Sequence, residues 1–337
     1  MRACDKHLRG TENILNHNMT TILITGSEGV IGQSLVNYFH THHPDVRLIR
    51  ISLSNSNNPE IITGDLNDRS VVKKIFNEQP IDYVIHTAAF PYGKAGFDQP
   101  YTVFENDTGI LMNILHEAQT IKKFIYLSSV LVYESSTTVP FTEDQTEHIP
   151  PPQSPYGLAK FFGEKAIQLF SKQTNIPYTI WRAYNVVSPR ERLQSGGGHV
   201  FMDFYHKLFV EQAPSITIHG SGQQVRCFTW VEDLVQGIVD HLTHEKTNNQ
   251  IINIGNNEPI TLLELMEMLL MIGKEKKLLP ADYQPEIVTG SAFHGIDSAV
   301  RLPSNKKIID LLNWKASTNV PSCFENFISQ KATYDHE

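Results

Sequence analysis

Three glycines spaced three apart constrain this chain most. Gly26, Gly29 and Gly32 stand in TGSEGVIG, directly after the β-branched run Thr20–Thr25 (TTILIT). An amphipathic segment follows, with Ile31, Leu35, Val36 and Phe39 on one helical face. A short apolar run bounded by glycine reads as a buried parallel strand. Strand, glycine turn and helix therefore open a βαβ unit. Glycines let the backbone turn tightly and approach a pyrophosphate, while the helix N-terminus offers unclaimed N–H groups and positive dipole. The spacing is not G-x-G-x-x-G, so the turn by itself does not fix which dinucleotide-binding branch this is.

The alternation continues. Val46–Ile51 reads as a second strand, and Ile61-Ile62 leads into Gly64-Asp65-Leu66 as a third. Asp82–Ala89 (DYVIHTAA) reads as a fourth, ending in small residues that leave room for a cofactor. Phe104–Ala118 has helical period, and Lys123–Ser128 is the next strand. This order predicts an α/β fold, a Rossmann-like doubly wound parallel sheet with helices on both faces. NAD binding calls for an acid about 20 residues beyond the glycines, to hold the ribose 2′-OH. The sequence there is RLIRISLSNSN. Arg50, Ser52 and Ser54 suit a 2′-phosphate instead. The cofactor is NADP or NAD, and these residues favour NADP.

Chemistry enters at the end of the fifth strand. Ser128-Ser129 close it, where ligands of open α/β sheets bind. Downstream, Ser154-Pro155-Tyr156-Gly157-Leu158-Ala159-Lys160 opens a helix to about Gln173. Tyr156 and Lys160 are four apart and share a helix face. A tyrosine titrating near pH ~10 is a poor base at neutrality. A neighbouring ammonium and a nicotinamide cation both favour its phenolate. Tyr156 could then exchange a proton with a sugar hydroxyl, with Ser129 bonding the same oxygen and Lys160 also reaching the nicotinamide ribose.

With these residues in place, the chain resembles the extended short-chain dehydrogenase/reductase family, in its nucleotide-sugar epimerase/dehydratase branch. The T-G-x-x-G-x-x-G turn is matched by Thr25, Gly26, Gly29 and Gly32, and the Y-x-x-x-K pair by Tyr156 and Lys160. Ser129…Tyr133 is similar to the S/T-x-x-x-Y strand end, Asp65-Leu66 to the D-L pair, Asn106–Gly109 to N-x-x-G, and Arg182 with Asn185 to R-x-x-N. Residues 220–231 (GSGQQVRCFTWV) resemble G-D-G-x-Q-x-R-x-F-x-Y-V. Asn253-Ile254-Gly255 and the closing Arg301, Pro303, Leu312 and Trp314 complete the series. The resemblance spans about residues 20–330.

It implies catalysis by Ser129, Tyr156 and Lys160. It places the cofactor against Gly26, Gly29, Val30, Ile31, Gly32, Asp65, Leu66, Ala88 and Ala89, and the residues of the second strand add Arg50 and Ser52 at its ribose in place of the family's acid. It places a nucleoside-diphosphate sugar against Asn185, His199, Val200, His219, Gln224, Arg226 and Arg301. Arg226, Arg182 and Arg50 would lie near phosphates, and Arg301 near the second phosphate of the sugar nucleotide. Departures inform as well. Val130 and Leu131 replace the Asp-Glu that dehydratases use to eliminate water, Glu134 and Ser188 stand where glycine is usual, and His219 replaces a stacking aromatic.

The implied architecture is interleaved. A cofactor domain takes residues 19–187 and 231–255, and a nucleotide-sugar domain takes 188–230 and 256–337, with 1–18 as a flexible leader. The loop Gln194–Gly198 is expected at the edge of the site. The helices near 103–118 and 156–173 imply a homodimer. Composition excludes other classes: 28 Lys+Arg against 36 Asp+Glu give a net charge of −8, with no basic run for nucleic acid or an anionic membrane. Cys4, Cys227 and Cys323 form neither a disulfide framework nor a zinc site, so no metal is expected. No apolar stretch reaches the roughly 18 residues of a membrane span. The expectation is a cytoplasmic 4-epimerase of a nucleotide sugar. The alternatives are an NADPH-dependent 4-keto-6-deoxy sugar reductase, a nucleotide-uronate decarboxylase, or a non-catalytic NADP(H) sensor.

Overall fold

The buried strand β1 (Thr21–Thr25) carries side chains to both faces of a sheet. Ile22 and Ile24 join one apolar cluster and Leu23 the other. The computed structural model describes residues 19–53, 58–90, 98–192, 199–290 and 299–334. The expected leader 1–18, Ser54 and the loop Gln194–Gly198 lie outside them.

Beside β1 run β2 (Arg47–Ser52), β3 (Ile61–Thr63), β4 (Tyr83–His86), β5 (Lys123–Ser129), β6 (Tyr178–Ala183) and β11 (Gln250–Ile254). Their order is β11-β6-β5-β4-β1-β2-β3, and every neighbouring pair is parallel. All C-terminal ends thus open on one edge, where ligands of such sheets bind. One face is covered by α1 (Val30–His42), α6 (Val231–Val239) and α8 (Lys306–Leu312), through Leu35, Val36, Phe39, Leu234, Val235 and Ile308. The other is covered by α2 (Arg69–Glu78), α3 (Pro100–Glu117) and α4 (Pro155–Thr174), through Val72, Ile75, Leu111, Ile114 and Ile167. Each such side chain contributes about 1.5–3 kcal/mol on burial.

A third cluster lies beyond the sheet edge. Phe201 and Phe204 of α5 (Val200–Tyr205) pack there with Ile216 and Ile218 of β8 (Ser215–His219). Leu265 and Leu269 of α7 (Leu262–Glu275) and Phe324 and Phe327 of α9 (Val320–Tyr334) complete it. Its strands pair two by two: β7 (Val186–Val187) with β10 (Thr229–Trp230), β9 (Val225–Cys227) with β12 (Pro259–Thr261), and β8 with β13 (Glu286–Gly290).

Arg182 corrects an expectation. Sequence alone places it among phosphate-binding cations, but it is fully buried. Its guanidinium donates to both carboxylate oxygens of Glu164 at 2.9 and 2.7 Å, to Tyr133 Oη at 2.6 Å and to Thr146 Oγ1 at 2.8 Å. Tyr133 donates onward to Asn253 Oδ1 at 2.7 Å. The arginine is a cross-tie between α4, β6 and β11, with its charge matched bidentately.

Lys123 is buried at the far end of β5, where its Nζ donates to Thr247 Oγ1 at 2.6 Å. Burial pushes its pKa down to about 8. Between pH 8 and the unfolded value near 10.5, the folded chain holds fewer protons than the unfolded one, so stability rises with pH across that window. Below pH 8 the destabilisation is complete. Lys123→Met is expected to stabilise the protein by on the order of 2 kcal/mol at pH 7 and to flatten that rise. Chemical denaturation at pH 7, 9 and 10.5 reads both effects.

Candidate active site

The glycine turn is fixed from three sides. Ser27 donates from its amide and hydroxyl to Ile51 O, at 3.1 and 3.2 Å, tying the turn to β2. Thr87 Oγ1 donates to Thr25 O at 2.7 Å, tying β1 to the chain leaving β4. Gly26 has φ +68°, and a Cβ there would lie 2.8 Å from Ala88 Cα. A Cβ on Gly32 would come within van der Waals overlap of the Gly26 carbonyl. Gly29 caps α1 with no side-chain hydrogen bond, so the first-turn amides at Val30, Ile31 and Gly32 face no side-chain cap. A cradle that only glycine fits, with a helix dipole aimed into it, suits a dinucleotide pyrophosphate.

Arg50, expected at the cofactor ribose, is paired with acids. Its Nη2 lies 2.9 Å from Glu28 Oε1, and its Nη1 lies 3.7 Å from Glu60. Glu28 comes from the glycine turn itself, so a carboxylate stands where the sequence reading counted a cation alone. Ser52 is buried, and its carbonyl accepts Gly64 N–H at 3.0 Å. Asp65 is exposed and accepts Asn67 N–H at 2.8 Å, whereas Leu66 is core. Ala88 and Ala89 are half-buried where β4 meets the turn.

The residues expected to move the proton lie at the end of β5 and on the helix beside it. Ser128 is buried and donates to Glu164 at 2.5 Å, while Ser129 stays partly open. Ser129 Oγ accepts Leu131 N–H at 3.2 Å. A hydroxyl that accepts from the backbone keeps its own proton for a ligand oxygen. The helix bearing Tyr156 and Lys160 starts sharply: Ser154 accepts Gly157 N–H and Pro155 occupies the first turn. Glu134, the unexpected residue after the V-Y pair, explains itself here. Its Oε2 accepts the amides of Gln153 and Ser154 at 2.7 and 2.8 Å, holding the Pro-rich approach in place. Tyr156 is half-buried, and Lys160 Nζ lies 5.4 Å from its ring centroid. Lys160 donates to Leu127 O at 3.1 Å. Burial lowers its pKa against the pull of Asp107 and Glu164.

The remaining residues gather on β9. Gln224 and Arg226 are both buried, and Gln224 Nε2 donates to His219 O at 2.7 Å. Residues 299–301 run beside β9: Val225 donates to Ala299 O at 2.8 Å, and Arg301 N–H donates to Val225 O at 2.9 Å. Val225 and Val300 form a parallel bridge, which puts Arg226 and Arg301 side by side. Asn185, with φ +28°, donates to Cys227 O at 2.8 Å and joins the end of β6 to β9. His199 precedes Val200 at the start of α5, and its Nδ1 lies 2.7 Å from Glu191, whose charge raises the imidazole pKa. The Cys227 thiol is buried and pushed up to about 12, unsuited to nucleophilic work. No metal-binding cluster occurs among the described residues.

The chain belongs to the NAD dependent epimerase/dehydratase family, whose signature matches residues 22–255. A Methanocaldococcus jannaschii protein named as a candidate UDP-glucose 4-epimerase is 31% identical over 258 residues, covering 74% of this chain and 81% of its own. Human dTDP-D-glucose 4,6-dehydratase is 28% identical over 270 residues, 75% of this chain and 74% of its own. Among solved structures, the UDP-glucose 4-epimerase of Thermotoga maritima superposes with a TM-score of 0.81 at 23% identity, over 94% of this chain and 100% of that one. The UDP-glucuronic acid 4-epimerase of Bacillus cereus gives 0.79 at 23% identity, over 94% and 100%.

Proposed function

We propose that the chain is an NAD-dependent 4-epimerase of a nucleoside-diphosphate sugar, with residues 19–187 and 231–255 holding the cofactor and residues 188–230 and 256–337 gripping the nucleotide, except α8, which packs on the cofactor sheet. The observation that carries this reading is Ser129 at the open end of β5 beside the helix of Tyr156 and Lys160, with buried aliphatic Val130 and Leu131 directly after Ser129. Tyr156 takes the proton of the sugar 4-OH, and Ser129 donates to the same oxygen. A bound nicotinamide would supply the hydride acceptor and donor for C4, and the glycine turn and Lys160 would hold that cofactor. Arg226 and Arg301 would grip the substrate through its diphosphate and leave the sugar ring free to present either face of C4. Elimination of water would need a further acid and base, and two buried aliphatic side chains carry no protons. Dehydration is therefore disfavoured, although a dehydratase is among the relatives.

NAD fits better than NADP because the charge of Arg50 is already matched by Glu28. That also weakens the NADPH-dependent reductase. Glu28→Gln is expected to release Arg50 and improve binding of NADP relative to NAD by about tenfold, about the worth of one charged hydrogen bond. Cofactor titrations by fluorescence quenching check this, and a wild-type preference for NADP would overturn it.

A homodimer is proposed through α3 and α4, which expose Tyr101, Met112, Phe162 and Leu169. Sedimentation should return twice the chain mass. No helix of the described residues is long and apolar enough to cross a membrane. Thermal-shift screening of UDP-, GDP-, dTDP- and CDP-sugars with NAD tests the substrate class, since binding raises stability by linkage. Stabilisation by none of them would remove it.

A further inference from the structure

A carboxylate interrupts the apolar stripe of α3. The buried positions of that helix are Val103, Asp107, Leu111, Ile114 and Leu115, the spacing of a core-facing surface. Asp107 loses its hydration there, and hydrogen bonds or a cation must replace it. One oxygen is satisfied: Asp107 Oδ1 accepts Phe90 N–H at 2.6 Å. The other, Oδ2, is buried with no hydrogen-bond partner among the described residues.

The facing helix is α4. A Cβ on Gly163 would lie 2.5 Å from Tyr126 Oη and 3.0 Å from Leu111 Cδ2. Leu111 and Gly163 thus form one rung of the contact between α3 and α4, with Tyr126 at the same level. Both helices follow strands of one parallel sheet and run the same way. One turn earlier on each stand Asp107 and Lys160. Lys160 Nζ lies 5.0 Å from the Tyr126 ring centroid. Glu164, the other carboxylate acting on the ammonium, is already bound to Arg182 and Ser128. His86, stacked on Tyr126, is held neutral at a pKa of about 3 by burial and the Lys160 charge. Asp107 and Lys160 each favour the other's charged form against their burial.

We infer that Asp107 is the counter-charge of Lys160, a positioning residue that keeps the ammonium protonated beside Tyr156. This rests on the proposed role of Tyr156 as proton acceptor. Burial drives Lys160 toward its neutral form, and a neutral amine would no longer favour the Tyr156 phenolate. Asp107 opposes that drift from the facing helix. Its contact with Phe90 N–H also fixes the chain leaving β4.

Ultraviolet titration of tyrosinate in the NAD-saturated protein tests this without knowledge of the sugar. The component that Tyr156→Phe removes reports Tyr156. Asp107→Asn keeps an acceptor for Phe90 N–H and is expected to move that component up by about one pH unit, with NAD affinity unchanged. Asp107→Val, which restores the apolar stripe, should show the same shift if Asp107→Asn folds poorly. In a Lys160→Met background, Asp107→Asn should add no further shift. An unmoved or lowered titration, or a shift that persists without Lys160, would overturn the inference. If Tyr156→Phe removes no component below pH ~10, the reading of Tyr156 fails first, and Asp107 loses its role with it.

Discussion

Tyr156→Phe is expected to lower kcat about a thousandfold while leaving NAD affinity within about twofold. The change removes one oxygen from a half-buried ring on the first turn of α4. That turn is fixed independently of the hydroxyl. Ser154 caps it, Glu134 holds the amides of Gln153 and Ser154, and Gly157 packs beneath Leu131 O. The ring should therefore stay in place and only the proton carrier should be lost. Ser129 would still donate to the sugar oxygen, but the phenol that takes its proton would be gone. Steady-state kinetics on whichever nucleotide sugar the stability screen selects, with NAD titrations alongside, separate the two effects. Residual activity above about a tenth of wild type would take the base role from Tyr156.

Arg226→Ala is expected to raise KM about a hundredfold with little change in kcat. A charged hydrogen bond is worth about 1.5–3 kcal/mol, and a bidentate contact to phosphate lies at the upper end. The loss falls on KM because the diphosphate is held equally in the ground and transition states. Arg226 is positioned by the backbone on both sides: β12 pairs antiparallel with β9, and residues 299–301 run along its other edge. That geometry brings Arg301 beside it, so the two cations are expected to share one dianion. Arg226→Lys should recover part of the loss, since an ammonium keeps the charge but not the planar fork. An unchanged KM for Arg226→Ala would place the diphosphate elsewhere.

The sheet and its cofactor edge were readable because each feature there has local causes. A β-branched run, a glycine turn and a helical stripe fix β1 and α1 before any tertiary contact is known. Tyr156 and Lys160 were readable for the same reason, as one turn of one helix. What the sequence hid were pairings across long separations. Glu28 meets Arg50 only because the glycine turn folds over the end of β2. Arg182 looked like a phosphate ligand until Glu164 and Tyr133 were brought around it. Asp107 carried a signal that could have been read, a carboxylate at the centre of an otherwise apolar stripe. Its partner on α4 could not. The helices of the third cluster had weaker local marks, although the Thr261–Glu264 capping box of α7 is one.

The most direct test of the central claim follows the configuration at sugar C4. The purified chain would be incubated with NAD and the preferred nucleotide sugar in deuterated water, and the products resolved by proton NMR. A redox-neutral 4-epimerase should bring the two C4 epimers to a constant ratio. Hydrogen at C4 should be retained, because the hydride returns to the carbon it left, and no reduced nicotinamide should accumulate. Accumulation of a 4-keto-6-deoxy sugar, or turnover only with stoichiometric NADPH, would contradict the account.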